Sequence, residues 1–352
     1  MPDPAAVDPV SVVVLTDAGG AHLDAYFEAL GTLGEIGQVL LCDPSGESVA
    51  LARKALGAKL AAVYERPADV FAKEKPDLAV ISVEAVQGPP LIETALRAGC
   101  HVFAEKPACL RAADFEPLVR LAESQSRHLM LALANRITPA VREARRLIGA
   151  GTFGRLYGIE LHLVADQTRL TRPAYQQSWF ADRARAGGGH LAWLGIHWLD
   201  LAMHLTGQSV SEVAGFTGIV GGQPLRAEDA AVVAMKFSGG MLGTLTSAYF
   251  LDKGYQSHLK LWGEKGWLEY TEWLEGARNP RPLRYQVAGS DPVEPEVPME
   301  PKGYTPAIRE AALAAAGRGQ PFITAAEGLR VLRTVFGLYE AAENGRTVRV
   351  AS

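Results

Sequence analysis

The sequence predicts a two-domain α/β protein, with an N-terminal doubly wound parallel sheet and then an α/β domain with a large, mostly antiparallel open sheet. Three observations predict this. The 352 residues, 48% hydrophobic and 21% charged, suffice for two cores at roughly 150 residues per domain. Short apolar runs alternate with helix-patterned segments over residues 1–134. Over residues 135–352 the apolar runs are instead separated mainly by glycines.

The run SVVVL after Val10 reads as a strand, Thr16-Asp17-Ala18-Gly19-Gly20 as a turn, and HLDAYFEAL, with 3.6-residue spacing, as an amphipathic helix. QVLLCD is a second strand, followed by an alanine-rich helix, the strand DLAVISV, the helix PPLIETALRAG, the strand HVFAEKP, a further helix and the strand HLMLALA. Strands alternating with helices imply right-handed crossovers and a parallel sheet. After Asn135 come the helix PAVREARRLIGAG, the strand RLYGIELHLV, a helix near residue 200, and the strands AAVVAMKF, MLGTLTSAYF and HLKLWG. The proline- and acid-rich stretch 278–303 fits neither a central strand nor a helix interior and reads as a surface excursion.

Lys plus Arg number 35 against 39 Asp plus Glu, a net charge of -4 without a basic run, so neither nucleic acid nor an anionic membrane is an expected partner. Three cysteines (Cys42, Cys100, Cys109) in no C-x-x-C pair point to a reducing compartment and to packing roles. The opening MPDPAAVDPV lacks the charged and apolar regions of an export signal, and no apolar run reaches the roughly 20 residues of a membrane span. A soluble, cytoplasmic protein is expected.

The first strand-turn-helix stands where a dinucleotide's pyrophosphate is cradled at a helix N-terminus. Thr16, Asp17, Ala18, Gly19 and Gly20 are therefore candidate cofactor contacts, although the turn is not G-x-G-x-x-G and Asp17 adds a negative charge. Asp43 follows Gly20 by 23 positions, at the end of the second strand. There a carboxylate bonds a ribose 2′-hydroxyl and repels a 2′-phosphate, which favours NAD over NADP. Asp43-Pro44-Ser45-Gly46 equally makes a turn that caps the next helix.

Three stretches, AGCHVFAEKPACL (98–110), LANRITPAVREARRLIGAGTFGRL (133–156) and GGGHLAWLGIHWLDLAMHLTG (187–207), resemble the glucose-fructose oxidoreductase, inositol dehydrogenase and rhizopine-catabolism (Gfo/Idh/MocA) family. Weaker echoes in EDAAVVAMKF, LKLWGEKGWLEY and GRGQPFITAAEGLRVLRTVFGLYEAAENGRTVRV keep the same order along nearly the whole chain. The resemblance implies a Rossmann domain over 1–134, and a substrate and oligomerisation domain over 135–352 whose sheet joins copies into a homo-oligomer. It also implies NAD(P)-dependent hydride transfer to or from a secondary hydroxyl of a sugar, sugar acid or cyclitol.

Residue by residue, the resemblance makes Lys106 the lysine of the E-K-P motif, with Glu105 beside it near the cofactor. His197 falls on the catalytic histidine of the D-x-G-x-H segment, Asp200 on the acid three residues later, and Asn135 with Arg136 on the N-R step. Oxidising a secondary alcohol needs a proton acceptor and a nearby cation. Lysine's ordinary pKa of about 10.4 suits donation, leaving His197 as the base.

The family aspartate four residues before His197 is replaced by Trp193, and SVEAVQGPP replaces the family's T-P-x-x-x-H stretch. If the segment is one α-helix, His190, Trp193, His197, Asp200 and His204 share a face. Trp193 can stack on a sugar or pack in the core, His190 or Asp200 can take over from the aspartate, and Trp179 offers another ring near the substrate. Histidines seven residues apart on a helix lie about 10.5 Å apart, too far for successive pairs to share a metal, and no metal is expected. The departures leave two other readings: redox-neutral cleavage or elimination through a keto intermediate on bound NAD, and a non-catalytic sugar-binding protein on the same fold.

Overall fold

A computed structural model describes residues 9–274, 277–298 and 304–351, which form two compact units. Among these residues the first unit holds 9–109, 113–134 and 304–329. Its strands β1 (Val10–Thr16), β2 (Ile36–Cys42), β3 (Leu60–Tyr64), β4 (Leu78–Ser82), β5 (His101–Ala104) and β6 (Leu129–Leu131) make one sheet in the order β3-β2-β1-β4-β5-β6. Every pairing in it is parallel. Helices α1 (Leu23–Thr32), α2 (Val49–Leu56), α3 (Pro67–Lys73), α4 (Gly88–Arg97) and α5 (Ala112–Ser124) connect successive strands.

Covered on both faces, the central strands bury consecutive residues, Val12 to Val14 and Leu78 to Val80 at 0% exposure. That is why they read as unbroken apolar runs. β3 and α3 go beyond the elements predicted: LAAVY is a short edge strand with no fully buried residue, so it lacks such a run. The strand order reverses between β1 and β4, the switch point beyond whose carboxyl ends such sheets bind ligands.

The second unit holds 110–112, 135–298 and 330–351 among the described residues. It begins with α6 (Pro139–Gly149), β7 (Leu156–Asp166) and the short helices α7 (Pro173–Gln177) and α8 (Arg183–Ala186). A π-helical turn, Leu191–Gly195, leads directly into α9 (Ile196–Thr206). Strands β8 (Val210–Gly218), β9 (Ala230–Phe237), β10 (Leu242–Leu251), β11 (Tyr255–Gly263), β12 (Gly266–Leu274), β13 (Ala277–Arg278) and β14 (Leu283–Val287) follow, then α10 (Thr305–Ala315), α11 (Ala325–Asn344) and β15 (Val348–Arg349). The sheet has nine strands in the order β13-β12-β11-β7-β10-β9-β8-β15, with β14 paired to β12. It is antiparallel except where β7 runs parallel to β10. One face buries Ile159, Leu161, Val233, Met235, Leu245, Leu259 and Leu261. The opposite face leaves Phe216, Val232 and Leu242 more than half exposed.

Two expectations are corrected. Residues 304–329 do not stay with the second domain: α10 packs on α1, β4 and β5. Its buried stripe of Ala307, Ile308, Ala311, Ala312 and Ala314 is too generic in sequence to say which sheet it covers. The stretch 278–303 is also more than an excursion, since β14 adds to the sheet at β12, with residues 299–303 outside those described.

Candidate functional site

In the first unit the turn after β1 is built by close approach. Thr16 Oγ1 donates to the Ser82 carbonyl (2.8 Å) and Ser82 Oγ to the Ala21 carbonyl (2.6 Å), tying the carboxyl ends of β1 and β4 together. A Cβ on Gly20 would stand 2.2 Å from Thr16 Oγ1 and 2.8 Å from the Ser82 carbonyl, so only glycine fits there. Ala18 and Gly19 are exposed, and α1 starts without a side-chain cap, leaving its first N–H groups directed at the turn. Asp17 takes the Ala18 N–H at 2.8 Å and contacts Gln87 Nε2 at 3.4 Å. The uncapped helix start and glycine turn fit a pyrophosphate, and Asp17 spends one amide of the turn on itself.

Asp43 is 2% exposed. One carboxylate oxygen accepts from Ser45 N–H (3.1 Å) and Oγ (2.6 Å), the other from Ser48 N–H (2.8 Å) and Oγ (2.6 Å). Burial alone would raise its pKa, but these serine donors bring it below the usual value. These are the contacts of a turn that caps the next helix.

Glu105, at the end of β5, is turned inward. Its Oε2 meets His22 Nδ1 at 2.8 Å and the Tyr26 hydroxyl at 2.5 Å, and its Oε1 accepts the Lys106 N–H at 3.1 Å. Against burial, His22, Lys106 and Tyr26 pull its pKa down to about 2. Lys106 is 1% exposed with Nζ 3.8 Å from Glu105 Oε1. Tyr304 closes the group, its hydroxyl 3.2 Å from His22 Nδ1. His22, Tyr26 and Tyr304 were not among the candidates. Only the position of His22 at the helix start could have flagged the first.

In the second unit the predicted single face of His190, Trp193, His197, Asp200 and His204 does not form. The π turn inserts an extra residue per turn and breaks the 3.6 phase. His190 is fully buried, with Nδ1 2.6 Å from Ser247 Oγ and its ring edge-on to Tyr249 at 4.3 Å. Trp193 packs edge-to-face on Trp179 (5.5 Å) and Phe180 (4.6 Å). Asp200 forks with Arg136, Nε at 2.8 and 2.9 Å and Nη2 at 2.6 Å, both side chains almost wholly buried. His204 meets Arg145, while His197 is half-buried at the start of α9. Asn135, half-buried, uses its carbonyl to accept from Thr138. Trp179 is 2% exposed and stacks on Phe180 at 3.9 Å.

What holds the start of this helix was absent from the sequence reading. Glu228 accepts from the Gly189 N–H (2.7 Å), the Leu191 N–H (3.0 Å) and the Tyr339 hydroxyl (2.7 Å), and that hydroxyl accepts from the Ala192 N–H (3.1 Å). A Cβ on Gly189 would lie 1.9 Å from the Glu228 carbonyl oxygen, which explains a glycine there. Glu228 stands in EDAAVVAMKF, where a buried-strand pattern preceded by two acids was the available signal. Among the described residues no three His, Cys, Asp or Glu side chains gather so as to hold a metal ion.

Two domain families match in order: the oxidoreductase family's NAD-binding Rossmann fold over residues 18–133, and the GFO/IDH/MocA C-terminal domain over residues 141–269. The chain belongs to the Gfo/Idh/MocA oxidoreductase family. It is 24% identical over 269 residues to the 1,5-anhydro-D-fructose reductase of Ensifer adhaerens, covering 73% of this chain and 74% of that one. It is also 24% identical over 346 residues to the D-apiose dehydrogenase of Paraburkholderia graminis, covering 94% and 86%. The fold is that of the WlbA dehydrogenase from Bordetella pertussis, solved with NADH and UDP-GlcNAcA: TM-score 0.82 at 21% identity, over 98% of this chain and all of that one. Trp193, at the position where the resemblance expects a carboxylate, is packed among rings.

Proposed function

We propose that this oxidoreductase moves a hydride between NAD and a secondary hydroxyl carbon of a sugar, sugar acid or cyclitol. The observation that carries the reading is Lys106, a fully buried ammonium held beside Glu105 at the carboxyl end of β5 in a dinucleotide-type sheet. The nicotinamide supplies the hydride chemistry. The residues of the chain do the rest: Gly19, Gly20 and the start of α1 receive the pyrophosphate, Lys106 stabilises the developing alkoxide, and His197 takes or returns the hydroxyl proton.

Asp43 favours NAD through its charge. With both oxygens already bonded to serines it repels a 2′-phosphate more than it grips a ribose hydroxyl. Calorimetric titration of nucleotide-stripped protein is expected to show NAD binding about ten-fold or more tighter than NADP, and Asp43→Asn to narrow the gap. If neither nucleotide binds, the dehydrogenase reading falls.

The exposed sheet face is read as the contact with a second copy. Phe216 (80% exposed) pairs across strands with Val232, and Leu242 (62%) lies on the same face. Phe216→Asp is expected to lower the mass measured by light scattering to that of a smaller assembly, and an unchanged mass would exclude this face. Cys42, Cys100 and Cys109 are all buried, as packing residues of a protein working in the cytoplasm would be, and no described helix is long and apolar enough to cross a membrane.

A further inference from the structure

Two arginines of the second unit, Arg136 and Arg169, meet the cost of partial or full burial differently. Arg136 is sealed and forks onto Asp200, as a structural guanidinium should. Arg169 is not sealed. It stands in the turn Gln167–Thr171 directly after β7, half-buried, and donates a single hydrogen bond, Nη2 to the Tyr255 hydroxyl at 2.8 Å. Its guanidinium carbon lies 5.3 Å from the centre of the Tyr249 ring and 6.0 Å from that of Tyr255. Among the described residues no carboxylate comes within 4.0 Å of it.

The carboxylates nearby are spoken for. Asp166 accepts from the Thr168 N–H at 2.7 Å and caps the turn, and Glu228 serves the helix start described above. Tyr249 joins this arginine to the helix that carries His197. It packs with Tyr175, Leu194 of the π turn and Tyr255, and its ring meets His190 at 4.3 Å. His190 Nε2 is buried there without a hydrogen-bond partner. Burial, with Arg169 adding to it, depresses His190 to about 3, so the imidazole is neutral and Arg169 brings the positive charge to this group of described residues.

We infer that Arg169, with Tyr175 and Tyr255 around it, binds the carboxylate of an acidic sugar, so that the substrate is a uronic or aldonic acid. A planar guanidinium with unused donors and no counter-ion recognises a planar anion. One positive charge balances a monoanion, whereas a phosphate dianion would leave excess negative charge in a half-buried, ring-lined cage. The half-buried rings of Tyr175 and Tyr255 add apolar surface of the kind that packs on sugar carbons. The inference narrows the substrate of the dehydrogenase reading, but the binding it describes does not need hydride transfer.

The test titrates the full chain, with and without excess NAD, with D-glucuronate, D-galacturonate and D-gluconate against D-glucose, D-galactose and myo-inositol, and with D-glucose 6-phosphate. At least one acid is expected to bind about ten-fold or more tightly than its neutral counterpart, with affinity falling as salt rises. Arg169→Gln should abolish that preference while leaving NAD binding unchanged, and Arg169→Lys, which keeps the charge without the fork, should retain part of it. The inference is overturned if no acid outbinds its neutral counterpart, if Arg169→Gln keeps the preference, or if the phosphate outbinds every carboxylate. Should Arg169→Gln fail to fold, the Lys variant and the wild-type salt dependence decide. Acid preference without nucleotide binding would sink the dehydrogenase reading alone.

Discussion

Lys106→Met is expected to lower kcat/KM for the best sugar substrate by about 10²- to 10⁴-fold, the range a positioned proton donor or acceptor contributes. The chain should still fold. Glu105 keeps His22, Tyr26 and the backbone N–H of residue 106, all of which survive the substitution. Methionine nearly matches lysine in length, so no large cavity opens in a site where the native side chain is 1% exposed. What disappears is the ammonium alone. NAD titration and thermal melting separate the outcomes: lost turnover with near-native NAD affinity and Tm places Lys106 in the reaction, and unchanged turnover removes it. His197→Ala should bring a loss of similar size if it is the base.

Asp200→Ala is expected to destabilise the second unit by about 3–5 kcal/mol, because it strands the buried Arg136 guanidinium without its counter-ion. At about 2–4 °C per kcal/mol this is a fall of roughly 10 °C in the unit's Tm. The resemblance placed both residues among substrate contacts. The fork ties the turn around Arg136 to α9, so the substitution is expected to act on stability first and on activity through it. Replacing both partners, Arg136→Met with Asp200→Leu, should recover much of the loss, since a matched apolar pair no longer buries a lone charge. A single-variant melt within about 1 kcal/mol of wild type, by the same measure, would show that the pair is not structural.

Elements made by local periodicity are legible in the amino-acid sequence. Strands buried on both faces, such as VSVVVLT and LAVIS, declare themselves by composition alone, and their alternation with helices implies a parallel sheet. Where burial is partial the signal fades: the edge strand LAAVY was missed, and the alanine stripe of α10 could not say which sheet it covers.

Side-chain partnerships lie outside that information, because they join residues far apart in sequence whose encounter depends on how elements pack. Glu105 finds His22 across 83 positions, Arg136 finds Asp200 across 64, and Arg169 finds Tyr255 across 86. The π turn illustrates the same limit. The composition of HLAWLGIHW supports a helix, yet its phase is decided by Glu228 and Tyr339, which grip three of its first amide groups from elsewhere in the unit. The sequence by itself therefore determined the class of fold and the strand-turn-helix that opens the parallel sheet. Only tertiary structure decided which charged groups are consumed in holding the fold and which, like Arg169, keep donors to spare: a buried charge must find its counter-charge in space, and sequence distance does not record that search.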